Sequence, residues 1–120
     1  MTAHNELNGI PCHGSKYLMT EVLRNQWKFD GFVVSDWMDI ERMHDYHSVA
    51  ETLKDAYRIS VDAGMGMHMH GPEFYEAIIE CVKEGSISEK QLDAAVSKIL
   101  EAKLQARTVR ESVCRPEKER

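Results

Sequence analysis

Asp36 and Trp37 are the residues whose types and placement most directly suggest chemistry. They end the heptapeptide Gly31-Phe32-Val33-Val34-Ser35-Asp36-Trp37, in which an apolar run passes straight into a carboxylate and an indole. A carboxylate can act as a nucleophile or as a general acid or base. An indole beside it offers a flat platform of the kind that handles a sugar ring. Three β-favouring residues in succession indicate a strand buried on both faces, as in a parallel sheet. In α/β folds of that kind ligands sit at the C-terminal ends of the strands, so Asp36 would stand at an active site. The plainer alternative has Asp36 capping the following turn and Trp37 in the core.

Six histidines raise the question of a metal. His44 and His47 are three apart, His68 and His70 two apart, and Asp36, Asp39 and Asp45 could complete a nitrogen–oxygen set. None of the established zinc spacings, such as HExxH, is present, so no metal and no other cofactor is expected. The histidines are read instead as polar loop residues. Asp39 is read as a solvated or helix-capping residue. Cys12, Cys81 and Cys114 are odd in number and without a CxxC, which indicates neither a disulfide framework nor a zinc site. Two of them are expected to be buried thiols. Met65, Met67 and Met69 read as strand core, Cys12 and His13 as loop residues, and Asn8-Gly9 lacks the spacing of a phosphate cradle.

The 120 residues suffice for one modest domain, and 42% hydrophobic with 29% charged residues is an ordinary globular composition. A net charge of -5 argues against nucleic-acid or membrane-surface partners, which call for a basic patch. No apolar run reaches the roughly 18 residues of a membrane span, and no signal-peptide pattern opens the chain. The sequence enters directly into strand-like residues, which leaves the compartment open.

Several elements must position Asp36. A strand-like segment over 1–6 ends in the turn Asn8-Gly9-Ile10-Pro11. Ser15 caps a helix carrying Leu18, Met19, Val22, Leu23 and Trp27 at helical spacing. After the strand to Val34 and a polar stretch over 39–48, a second helix is predicted over about 49–62, stopped by Gly64. Met65 to His70 alternates with period two, predicting a strand. A third helix begins at Pro72, buries Phe74, Ile78 and Val82, and closes at Gly85. Ser88 and Gln91 form a capping box, with Ile87 stapled on Leu92, for a helix to about Leu104. The order β-α-β-α-β-α-α predicts right-handed crossovers and a parallel sheet. Three such strands leave two bare edges, and a closed barrel of this type needs eight strands and typically about 250 residues.

The residues MTAHNELNGIPCHGSKYLMTEVLRNQWKFDGFVVSDW closely resemble the nucleophile-bearing region of glycoside hydrolase family 3, the β-glucosidase and β-xylosidase type. The family pattern runs approximately Met-Ser/Thr-Ala/Ser-Tyr-Asn-x-x-Asn-Gly-x-Pro. A Leu-Leu/Met-Thr helix start comes next, and then Trp-x-Phe-x-Gly-Phe/Tyr-Val-Val-Ser-Asp-Trp. Asp62-Ala63-Gly64-Met65 resembles the last barrel strand, and Glu84 to Ser88 and Ala94 to Leu100 resemble the closing helices. The resemblance covers Met1 to about Lys103. It implies an α/β fold, a partial (β/α)8 TIM barrel made of the last three βα units with parallel strands, over residues 1–104. Residues 105–120 are expected to form a polar, disordered tail.

The resemblance further implies a retaining exo-acting β-glycosidase in which Asp36 is the nucleophile. It also places Trp37, His4 and Met1 at a β-glucoside or β-xyloside. The general acid/base of such enzymes usually lies in a second, downstream domain, and the Lys-His pair and Arg that assist the nucleophile lie in earlier strands. No segment here matches them, so the isolated chain is expected to be inactive. The chain departs from the pattern at His4, where Tyr is usual, at Gly66, where Asp is common, and from Gln105 to Thr108. Trp37 favours the glucosidase type over the N-acetylglucosaminidase branch. The competing expectation is a non-catalytic module that self-associates through open sheet edges.

Overall fold

The computed structural model describes residues 1–71 and 73–106. Pro72, Cys114 and most of the expected tail lie outside them. The described residues are mainly helical. Strands β1 (Glu6–Leu7) and β2 (Ile10–Pro11) make a small antiparallel hairpin, followed by a 3-10 turn at Cys12–Gly14. A helix at Tyr17–Gln26 comes next. It is wound in the wide π form, and the Trp27 N–H closes its end on the Val22 carbonyl at 2.9 Å. The helices α1 (Arg42–Asp45), α2 (Leu53–Ala63), α3 (Glu73–Lys83) and α4 (Glu89–Gln105) complete the order.

The three expected strands are largely replaced. Residues 1–5 form no strand, and the hairpin arises where only a turn was predicted. Of the runs at 32–34 and 65–70, a single parallel bridge forms between Val34 and Met67. Around it the Gly66 and Met67 N–H groups both donate to the Val33 carbonyl at 3.0 Å, and the Ser35 N–H donates to the Met67 carbonyl at 2.9 Å. Among the described residues each run has one neighbour, and a two-stranded contact supports little regular ladder. The orientation is nonetheless parallel, with α2 as the crossover between the two runs. Gly66 suits this approach: a Cβ there would stand 3.3 Å from the Val33 carbonyl oxygen and 3.5 Å from the Phe32 Cβ. Met65 is buried, whereas Met67 and Met69 are exposed.

The second helix begins later than its apolar spacing suggests. Thr52 caps it by accepting the Asp55 N–H at 3.1 Å, so Val49 falls outside and is exposed. The polar-looking stretch before it hides Ile40 and Met43, both fully buried, on and beside α1. At its other end Gly64 adopts φ +105°, the left-handed geometry that terminates a helix. α2 is the hub of the molecule, touching the 3-10 turn, the π-wound helix, α1 and α3. Its buried Ala56, Tyr57 and Val61 meet Met19, Val33, Met43, Ile78 and Cys81 in one cluster.

Two further ties fix the frame. The Thr20 hydroxyl donates to the Ala63 carbonyl at 3.1 Å, and the Gln91 amide donates to Asp62 at 2.9 Å. The capping box forms as predicted, Ser88 Oγ accepting the Gln91 N–H and Gln91 Oε1 accepting the Ser88 N–H. Ile87 is buried and Leu92 packs against the same core, as a staple requires. The thiols of Cys12 and Cys81 are free and buried. No helix among the described residues is long and apolar enough to cross a membrane.

Candidate active site

The chain leaves the parallel bridge at Ser35, which is fully buried. Its backbone N–H binds Met67 and its hydroxyl accepts the Met69 N–H at 2.9 Å. One serine thus clamps the ends of both runs together and fixes the residues just beyond them, Asp36-Trp37 on one side and His70 on the other. Trp37 and His70 stack with ring centroids 3.9 Å apart and planes inclined by 17°. The indole is 56% exposed, so it is a platform and not a core residue. Met38, next in sequence, takes φ +55°. That conformation costs a non-glycine residue about 1–2 kcal/mol and turns the chain sharply behind the site.

Asp36 is held at three points. Its N–H donates to His13 Nε2 at 3.1 Å, its Oδ1 accepts the Trp37 N–H at 2.6 Å, and its Oδ2 lies 3.1 Å from His4 Nε2. Its side chain keeps 29% exposure, enough to be reached. Asp39 is brought alongside and is only 3% exposed, so the sequence reading of a solvated carboxylate is overturned. The residue stands one turn after Asp36, where the chain folds inward with Ile40. Arg42 Nη1 donates to its Oδ1 at 2.9 Å, and His4 Nδ1 stands 2.5 Å from its Oδ2. His4 therefore bridges the two carboxylates through both ring nitrogens. His13 is the residue that sequence reasoning missed. It is buried under Asp36, not on a loop surface, and a lone histidine after a turn carries no signal of that.

A second group lies behind. Glu41 is buried, accepts the Tyr57 hydroxyl at 3.0 Å, and has His68 Nε2 3.0 Å from the same oxygen, out of line for a full hydrogen bond. His68 also stacks on Phe74 with centroids 4.5 Å apart. Met1, expected at the sugar, lines an apolar cavity of about 430 Å³ with Leu18, Trp27 and Phe29. His4 borders an open hollow of about 590 Å³ with Asn5, Glu6, Tyr46 and His47.

Burial holds His13 and His68 below the ordinary imidazole value of 6.5, against the pull of Asp39 on the first and Glu41 on the second. His13 is neutral with Nε2 as acceptor, and its other hydrogen bond is to the backbone of Ala3. In the unfolded chain both rings take up protons near 6.5, so just below that pH the unfolded state binds more protons than the folded one. The stability from burying neutral rings is complete above 6.5 and is lost as pH falls beneath it. Lowering the pH from about 7 to about 5 should reduce the urea midpoint. Over that range the ring Cε1–H resonances of His13 and His68 should titrate with midpoints below 6.5. Normal titration of both rings would contradict this account.

Residues 1–102 match the glycosyl hydrolase family 3 N terminal domain. A putative β-xylosidase of Formosa agariphila is 37% identical over 103 residues, which are 86% of this chain and 14% of that protein. Thermostable β-glucosidase B of Acetivibrio thermocellus is 41% identical over 104 residues, 83% of this chain and 12% of the relative. Among solved structures, a β-glucosidase from Erythrobacter marinus superposes with a TM-score of 0.83 at 33% identity, over 88% of this chain and 14% of its own. The β-glucosidase of Listeria innocua in complex with glucose gives 0.80 at 34% identity, over 84% and 14%. The chain therefore spans only about one seventh of the proteins it matches. With the match running through nearly all the described residues, the chain belongs to glycosyl hydrolase family 3, and residues 1–102 correspond to its N-terminal domain.

Proposed function

We propose that this chain supplies the nucleophile and part of the sugar site of a retaining exo-acting β-glycosidase, of the β-glucosidase or β-xylosidase type. In this reading residues 1–104 are the last three βα units of a (β/α)8 barrel. The Asp36 carboxylate attacks the anomeric carbon as the bond to the leaving oxygen breaks, and the leaving oxygen takes a proton from a second carboxylic acid. Water, deprotonated by that same group, then releases the sugar from Asp36. Trp37 presents its exposed face to the ring, and His4 steadies the nucleophile from the side of the open hollow. The observation that carries the reading is the threefold hold on a reachable Asp36 beside an exposed indole. In this reading Met1 also belongs to the sugar site, at the start of the segment that leads to His4.

Asp39 is a poor acid/base for this reaction, because it is buried and tied to Arg42. The second carboxyl would come from outside these residues, and the isolated chain would be inactive. Grafting residues 1–102 in place of the matching segment of the Acetivibrio β-glucosidase tests this. The graft should hydrolyse an aryl β-glucoside, and the chain alone should not. A folded graft without turnover would refute the role. Turnover by the isolated chain would refute its inactivity. The exposed Val96, Leu100 and Leu104 on α4 support a second reading, a self-associating module. A stable dimer combined with an inert graft would favour it.

A further inference from the structure

We propose that His4, Asp36 and Asp39 form a binding site for a divalent transition cation of the zinc type. One ligand atom from each can be chosen so that all three lie within 4.8 Å of one another. Tetrahedral zinc, with bonds of about 2.0–2.2 Å, brings its ligands to about 3.4 Å apart, so small side-chain movements close the set. His4 is 61% exposed and free to make them.

The two carboxylates are arranged as metal ligands usually are. Each is anchored through one oxygen and offers the other. Arg42 takes Oδ1 of Asp39, and the Trp37 N–H takes Oδ1 of Asp36. Both Oδ2 atoms turn toward His4. Orienting bonds of this sort are what fix ligands around a metal. The Oδ2 of Asp39 is the decisive atom. It is buried and has no well-directed hydrogen-bond donor. His13 Nε2, 3.7 Å away, cannot supply a proton because it already accepts the Asp36 N–H. Among the described residues Arg42 pairs with Asp39 alone, and a cation between the two carboxylates would balance the charge of Asp36.

One imidazole nitrogen with two carboxylate oxygens suits zinc, cobalt or nickel better than magnesium or calcium, which prefer oxygen throughout. Three protein ligands leave a fourth position for water. The cluster also differs from the histidine pairs that the sequence brought forward. His4 takes the nitrogen role and lies 32 residues before Asp36.

Binding does not depend on the glycosidase reading. Its consequence does: a cation on Asp36 Oδ2 would withhold the nucleophile, so metal would inhibit. Titration of the full chain with ZnCl2 near neutral pH, by calorimetry, should give one equivalent. Co2+ in its place should give the visible absorption of a four-coordinate site. His4→Gln and Asp39→Asn should each weaken binding at least ~10-fold. The His44→Ala/His47→Ala double variant and Cys12→Ser should leave it intact. An equivalent retained in His4→Gln, or no binding at all, would overturn the site. If Asp39→Asn fails to fold, the exposed His4 still decides the matter. An inert graft that nonetheless binds one zinc through His4 would count against the glycosidase reading and for the cation site.

Discussion

Asp36→Ala in the grafted enzyme is expected to lower kcat for an aryl β-glucoside by on the order of 10⁴-fold or more, the scale on which single members of a covalent catalytic unit act. In the proposed mechanism the substitution removes the atom that would form the glycosyl-enzyme and leaves the acid/base and the sugar contacts in place. Affinity for a ground-state sugar should change far less than kcat. The loss should not come from unfolding, because Asp36 is partly exposed and outside the hydrophobic cluster. Ser35, His13 and the parallel bridge hold the local chain through backbone and neighbouring groups that alanine keeps. A small external nucleophile such as azide should restore turnover and give the inverted, α-configured azide, because it fills the face that the carboxylate vacates. A loss of less than about tenfold would sink the assignment, since no interaction made only in the transition state would have been removed.

Asp36 could be singled out as a candidate because its signal is local: an apolar run, a carboxylate and an indole in seven residues. The capping box at Ser88 and the stop at Gly64 were legible for the same reason, as side-chain and backbone geometry within one turn of helix. The surroundings of Asp36 were not legible. His13 acts across 23 residues, and Ser35 reaches Met69 across 34. Neither distance leaves a periodicity to read. Asp39 and Glu41 carry charges, so a pattern of apolar spacing puts them outside, yet both are buried: Arg42, three residues on, binds one oxygen of Asp39, and the distant Tyr57 hydroxyl binds one oxygen of Glu41. The strands failed for a related reason. A β-rich run specifies its own extended tendency but not the neighbours that complete a ladder, and among the described residues Phe32 to Val34 meets a single neighbour.

Tyr57→Ala is the substitution expected to cost the fold most. Tyr57 is fully buried in α2, the helix against which most of the molecule packs. Its ring meets His68 and Phe74 edge-on, with centroids 5.5 and 5.2 Å away. Removing a buried aromatic ring costs about 3–5 kcal/mol in lost transfer energy and cavity. The hydroxyl adds a second loss, because it donates to the buried Glu41 carboxylate, and a buried acceptor stripped of its donor costs about 1–3 kcal/mol. Burial and the Glu41 carboxylate both push the Tyr57 phenol upward in pKa, so the group stays a donor throughout the accessible pH range. Small domains hold only about 5–15 kcal/mol in total, and the combined loss should leave much of the population unfolded at room temperature. Tyr57→Phe separates the two contributions: it keeps the ring and should lose only the hydrogen-bond part, a shift of about 1–3 kcal/mol. Urea titrations followed by far-UV circular dichroism measure both variants. An alanine variant within about 1 kcal/mol of the parent would mean that the α2 core can collapse around the gap. The clamp that places Asp36 would then rest on Ser35 and the parallel bridge, independent of the helix beneath them.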